Sequence, residues 1–143
     1  MEEIRLQPIG YIKNNQARDP REKNWAEIKS KIVLEPEFTD ALEGIEEYSH
    51  IIVIFWLNQV TKRGRRVKKI ACRKINRNSL GVLATRAPFR PNPIGITIVR
   101  LLKRNMNILT VKGLDAFNDT PVLDIKPYTA HPKDLITNPK VPK

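Results

Sequence analysis

Residues Ala84 to Thr97 read ATRAPFRPNPIGIT, with Pro88, Pro91 and Pro93 between two apolar, strand-like stretches. Proline fixes its own φ and pushes the residue before it into extended geometry. Prolines spaced by three and then two residues therefore make a stiff, non-helical loop. The strand-like runs along the sequence are not separated by regular helical patterns, which disfavours a doubly wound sheet.

The strand-like runs are short. Residues Ile4–Ile12 alternate loosely, and Ala26–Leu34 place Ala26, Ile28, Ser30, Ile32 and Leu34 at period two, the pattern of a half-buried strand. His50–Leu57 (HIIVIFWL) is a β-branched and aromatic run that predicts a strand buried on both faces. Further strands are expected at Leu80–Thr85, Ile94–Leu102, Ile108–Leu114 and Pro121–Tyr128. One short helix is expected after Thr39 or Asp40, with Ala41, Leu42, Ile45 and Tyr48 as its apolar face. Val60–Asn78 reads as a basic loop or weak hairpin. The expected fold is mainly β: a mostly antiparallel or mixed sheet, or a small barrel, with one or two short helices, unlike the Rossmann arrangement. The 143 residues fit one domain, 1–143, with 131–143 as an extended tail.

Charge is unevenly distributed. Residues 61–113 carry fifteen Lys/Arg and no acid, whereas residues 1–60 carry seven Lys/Arg against eleven Asp/Glu. A basic block of this kind favours a polyanionic partner, most commonly nucleic acid. The nearest phosphate-contact candidates are Lys62, Arg63, Arg65, Arg66, Lys68, Lys69, Arg73 and Lys74. The longest apolar run, Ile51–Leu57, has seven residues, far below a membrane span. Neither a membrane role nor a signal peptide is expected. One cysteine, Cys72, excludes an intrachain disulfide and fits a reducing cytoplasm. With only His50 and His131 beside it, a protein-built metal site is not expected.

The sequence holds no GxGxxG, Walker loop, G-x-S-x-G or H-E-x-x-H. Three polar clusters remain: the loop Thr85–Asn92, the segment Asp115–Asp124 (DAFNDTPVLD), and His50 with Asn58 and Gln59 around the buried run. Loops at one end of a small sheet protein converge, so these clusters could share a pocket. For the aspartates and for His50, turn capping and a hydrogen-bonded strand start are the competing structural roles.

GVLATRAPFRPNPIGIT followed by GLDAFNDTPVLDIKPY, with PIGYI and EYSHIIVIFWLNQ before them, resembles the TsaA/YaeB-like family over roughly residues 6–130. The resemblance implies a single-sheet β-barrel that forms homodimers and binds S-adenosylmethionine. It also implies methylation of N6 of threonylcarbamoyladenosine in tRNA, beside the anticodon. By position it implies cofactor contacts from Arg86, Asn58 and Gln59, Ile96, Leu114, Asp115, Thr120 and Pro121, and from Gln16, Ala17 and Arg18 near a Pro-Arg-Gln motif. Asp115, Asp119 and His50 stand as alternative proton acceptors, and the anticodon arm as the partner of the basic block. Asn118-Asp119 replaces the family's usual Asp-Gly, so a non-enzymatic RNA-binding protein of the same fold, or a methyltransferase with a different substrate, stays open.

Overall fold

The computed structural model describes residues 1–15, 24–72, 77–131 and 135–141. The chain divides into two compact units, Met1–Trp56 with Gly95–Tyr128, and Leu57–Ile94 with Thr129–Lys143.

The first unit is a closed barrel. Its strands are β1 (Gly10–Lys13), β2 (Lys29–Leu34), β3 (His50–Trp56), β6 (Ile94–Asn105), β7 (Ile108–Lys112) and β8 (Pro121–Pro127), in the order β1-β2-β7-β6-β3-β8. The registered pairings are all antiparallel, and β1 meets β8 through Gly10↔Val122 to close the sheet. Closure leaves no free sheet edge. Alternate side chains from every strand fill the interior: Ile12, Ile32, Ile51, Val53, Val99, Leu109, Val111 and Val122 are each at most 1% exposed. Burying a side chain of this size contributes about 1.5–3 kcal/mol.

Two glycines permit the closure. A Cβ on Gly10 would lie 2.3 Å from the Val33 carbonyl oxygen, and one on Gly95 would lie 2.3 Å from Phe55 Cε2. The Phe55 ring therefore occupies the space beside β6 that any other residue at 95 would fill.

Several sequence expectations are revised. β1 starts at Gly10 rather than Ile4, and Ile4 and Leu6 are exposed. β2 starts at Lys29, with Trp25–Glu27 in a 3₁₀ turn before it, although Ser30, Ile32 and Leu34 do face inward as the period requires. The run 50–56 is not buried on both faces: Ile51, Val53 and Phe55 are buried while His50, Ile52, Ile54 and Trp56 are half-buried. No α-helix forms over 41–48. Pro36–Phe38, Asp40–Leu42 and Ile45–Glu47 are separate 3₁₀ turns, and Gly44 at φ 89° interrupts them. In β6 the isoleucine face points outward: Ile94, Ile96 and Ile98 are exposed, and Val99 points in.

In the second unit, Lys62–Arg65 forms a single helical turn, α1, and β4 (Lys69–Cys72) pairs antiparallel with β5 (Arg77–Gly81). The strand expected over Leu80–Thr85 is thus the end of β5 followed by a 3₁₀ turn at Val82–Ala84.

Candidate functional site

In the second unit the proline loop is an anchoring element. Thr85 Oγ1 donates to the Val82 carbonyl at 2.8 Å and accepts from Ala87 N–H at 3.1 Å. Arg90 Nη1 donates to the carbonyls of Thr85 (3.2 Å) and Ala87 (3.0 Å), so this guanidinium ties the loop to itself. Pro93, fully buried, accepts from Leu57 N–H at 2.7 Å, and Pro91 accepts from Arg65 Nε at 2.8 Å. Gly64 of α1 packs on Phe89, where a Cβ would come within 3.0 Å of the ring. Thr61 caps α1 by accepting from Gly64 N–H at 3.1 Å.

Three predicted cofactor residues project from this frame. Asn58 and Gln59 are the exposed corners of the turn closed by Val60 N–H donating to the Leu57 carbonyl at 3.0 Å. Arg86 is exposed and, among the described residues, makes no hydrogen bond or ion pair. Of the two loop arginines, Arg90 is committed to structure and Arg86 is available to a ligand. The basic residues Lys62, Arg63, Arg66, Lys68 and Lys69 lie in or beside α1 and β4, and Arg65 also serves the loop. Arg73 and Lys74, like Gln16, Ala17 and Arg18, lie outside the described residues.

The barrel unit holds the second cluster. Leu114 is fully buried and Thr120 is 4% exposed, so only their backbones and the Thr120 hydroxyl can serve a ligand; Asp115 is exposed and Pro121 half-buried. Thr97 Oγ1 on β6 donates to Asp115 Oδ1, a contact that fixes this carboxylate. Ile96, one residue earlier, is 64% exposed. The loop 116–120 is pinned to β1: Asp119 N–H donates to the Ile12 carbonyl at 2.7 Å and Ile12 N–H to the Thr120 carbonyl at 2.9 Å. Asn14 Nδ2 donates to Ser30 Oγ (3.0 Å) and to the Ala116 carbonyl (2.9 Å), and Trp25 stacks edge-on against Phe117 at 5.9 Å. Asp119 adopts φ 68°, the left-handed region that glycine favours, and pairs with Lys13. Asp124 pairs with Lys126 at 2.8 Å and accepts from Ile125 N–H, contacts local to β8.

His50 is not brought to this cluster. It opens β3 beside the Ile51↔Pro127 pair, whereas Val122, Gly95 and Phe55 mark the other end of the strand. Five residues of strand separate the two ends, roughly 16 Å. His50 Nδ1 is instead hydrogen-bonded to Ser49 Oγ at 2.7 Å, and its ring meets Tyr128 edge-on at 6.4 Å.

Sequence reading alone missed Thr97 as the group that positions Asp115, and Asn14 as the tie between three segments. Thr97 lay in plain view within PNPIGIT, but its partner is set by strand direction. Among the described residues no group of three or more His, Cys, Asp or Glu is placed to hold a metal ion, and no helix is long and apolar enough to cross a membrane.

Residues 12–133 match the family described as the tRNA-methyltransferase O N-terminal domain. A probable S-adenosyl-L-methionine-binding protein of Methanothermobacter thermautotrophicus is 39% identical over 136 residues, covering 88% of this chain and 90% of that protein. The human tRNA (adenine(37)-N6)-methyltransferase is 33% identical over 134 residues, which cover 87% of this chain but 30% of the human protein. Among solved structures, TrmO from Pseudomonas aeruginosa superposes with a TM-score of 0.76 at 33% identity, covering 97% of this chain. The chain spans 62% of that solved chain.

Proposed function

Since the chain belongs to the tRNA-methyltransferase O family, we propose that it transfers a methyl group from S-adenosylmethionine to an adenosine of tRNA. The match across residues 12–133 is the observation that carries this reading. The names borne by its relatives, an S-adenosyl-L-methionine-binding protein and a tRNA (adenine(37)-N6)-methyltransferase, support both cofactor and substrate class. The finer assignment, N6 of threonylcarbamoyladenosine, rests on the motif resemblance.

Each unit carries residues whose chemistry suits the cofactor. Its carboxylate suits the exposed Arg86 guanidinium, a fork of donors on a rigid loop. The Asn58 and Gln59 amides can serve its polar edges, and Asp115 can accept from its ammonium or ribose hydroxyls. Ile96, Leu114, Thr120 and Pro121 offer backbone and apolar contact, and Gln16, Ala17 and Arg18 complete the set implied by the resemblance. When bound, S-adenosylmethionine supplies an already activated methyl group on a sulfonium.

The protein's own work is then alignment, exclusion of water and removal of one proton. A carbamoyl-type nitrogen is a weak nucleophile, and a carboxylate within reach of its proton assists. Asp115 is the better acceptor of the two aspartates, because Thr97 orients it whereas Lys13 engages Asp119. Lys62, Arg63, Arg65, Arg66, Lys68 and Lys69, with Arg73 and Lys74, would contact anticodon-arm phosphates. The outward Ile96 and Ile98 of β6, 64% and 51% exposed, support association of two copies in a homodimer.

The test is methyl transfer from labelled S-adenosylmethionine to tRNA with and without the threonylcarbamoyl group. Label in the modified tRNA supports the full reading, label in unmodified tRNA alone replaces the substrate, and label in neither favours a non-enzymatic RNA-binding protein.

A further inference from the structure

The cluster at 62–74 does not hold all the positive charge of the basic stretch 61–113. On the barrel, the register sets cations side by side across four strands. Lys13 of β1 stands opposite Lys31 of β2, Lys31 opposite Thr110 of β7, and Thr110 opposite Lys103 of β6. Two residues along β2, Lys29 stands opposite Lys112, which stands opposite Arg100. The flanking residues Ile12, Ile32, Leu109 and Val111 point into the core, so both rows lie on the outer face. Neighbouring strands are about 4.8 Å apart and alternate residues about 6.6–6.8 Å apart along a strand. The result is two parallel rows of cations, separated by a distance comparable to that between successive phosphates of one nucleic-acid strand.

This arrangement opposes folding. Like charges directly opposite one another across strands are destabilising, and Lys13/Lys31, Lys29/Lys112 and Arg100/Lys112 are three such pairs. Two of the cations are compensated: Lys112, in the middle of its row, by Glu27 at 2.8 Å, and Lys13, at the end of the other, by Asp119. Lys29, Lys31, Arg100 and Lys103 are exposed and make no ion pair among the described residues. Solubility alone is served better by mixed signs. Lys13, Lys29, Lys31 and Thr110 of the rows line a hollow of about 630 Å³ together with Asn15 and Asn118, donors suited to phosphate and ribose oxygens.

We propose that the outer face of β1, β2, β7 and β6 is a phosphate-binding track for an RNA backbone, additional to the basic block at 62–74. The inference rests on the tRNA reading above and extends it, giving the barrel wall itself a share of the RNA. Contacts of this kind position RNA without reading sequence. They also make binding depend on salt, through release of counterions.

The test neutralises the four unpaired cations together, Lys29→Gln, Lys31→Gln, Arg100→Gln and Lys103→Gln, keeping side-chain length. An anticodon-arm RNA hairpin is bound to filters across a KCl series, with S-adenosylmethionine binding followed by calorimetry and folding by thermal melting. The expected variant keeps cofactor affinity and melts no lower than wild type. It binds RNA about tenfold or more weakly at moderate salt, and its plot of log K against log[KCl] is flatter by about 3, from roughly 0.7–0.9 per contact. Wild-type RNA affinity and slope in a folded, cofactor-binding variant would overturn the track and leave the tRNA reading intact. Absence of RNA binding by the wild-type protein would overturn both. If the quadruple variant melts early, the Lys31→Gln, Lys103→Gln pair is read in its place, with an expected slope change of about 1.5 and no change as the refuting result.

Discussion

Arg86 and Arg90 sit four residues apart in one loop, and the structure gives them opposite roles. Arg90 Nη1 holds the carbonyls of Thr85 and Ala87 at 3.2 and 3.0 Å, while Arg86 is exposed and unengaged among the described residues. A hydrogen bond from a charged donor contributes about 1.5–3 kcal/mol when its partner is well placed. Arg90→Ala removes two such bonds from a half-buried group, with water able to replace part of them. A loss of about 1–3 kcal/mol is expected, a fall of several degrees in melting temperature for a domain of this size. Arg86→Ala removes no protein contact, so its stability should stay within about 0.5 kcal/mol of wild type. Its deficit should fall on the cofactor: loss of one charge-assisted contact of about 1.5–3 kcal/mol raises the S-adenosylmethionine Kd by about 10- to 150-fold. Arg86→Lys should recover only part of this, because an ammonium keeps the charge and loses the fork. Calorimetric titration paired with thermal melting separates the two residues. Wild-type cofactor affinity in Arg86→Ala, or destabilisation equal to that of Arg90→Ala, would refute the division of labour.

Other outcomes follow from the same geometry. Gly95→Ala pushes a methyl into the Phe55 ring at 2.3 Å and should cost about 1–3 kcal/mol, with Phe55→Leu in the same chain restoring part of it; equal melting temperatures for wild type and Gly95→Ala would contradict the packing. At Asp119, φ 68° predicts that Asp119→Gly stays within about 1 kcal/mol of wild type, strain relief offsetting the lost exposed pair with Lys13, while Asp119→Val costs more; the reverse order in denaturant melts would contradict this. Asp115→Asn should lower kcat about 10²- to 10⁴-fold with a smaller change in cofactor Kd, and Asp119→Asn should not, as measured by single-turnover methylation. Lys112 holds the Glu27 carboxyl below its ordinary range, through its hydrogen bond first and its charge second. The stability this gives is present above the ordinary carboxylate pKa and is lost as pH falls through the lowered one, so any melting difference between wild type and Glu27→Gln should disappear in acid.

Much of the fold was legible because its signals are local. The proline loop reads as a rigid, non-helical link because φ restriction needs no tertiary context. The alternation Ser30, Ile32, Leu34 gave the inward face of β2 directly. The failures are non-local. The helix expected over 41–48 has an apolar period, but Gly44 takes φ 89° and breaks it into 3₁₀ turns. Which face of β6 turns inward is not legible in its alternation: Phe55 fills the space beside Gly95, so Ile94, Ile96 and Ile98 face outward and Val99 inward. The site divides in the same way. Asp115 could be picked out by residue type, but Thr97 as its partner depends on where β6 passes. Arg86 and Arg90 look alike in sequence, and only the direction of two backbone carbonyls tells them apart. His50 was grouped with the polar clusters by composition, yet strand direction puts it at the far end of β3. The cation rows were counted in the net charge but could not be placed without register.

The central claim is methyl transfer from S-adenosylmethionine to tRNA, and one measurement bears on it most directly. The purified protein is incubated with labelled S-adenosylmethionine and tRNA carrying threonylcarbamoyladenosine, and the digested nucleosides are separated by mass. The expected result is a single new nucleoside heavier by one methyl group on the modified adenosine, formed by wild type and strongly reduced in Arg86→Ala. No methylated nucleoside from either modified or unmodified tRNA, with the cofactor shown to be bound, would contradict it.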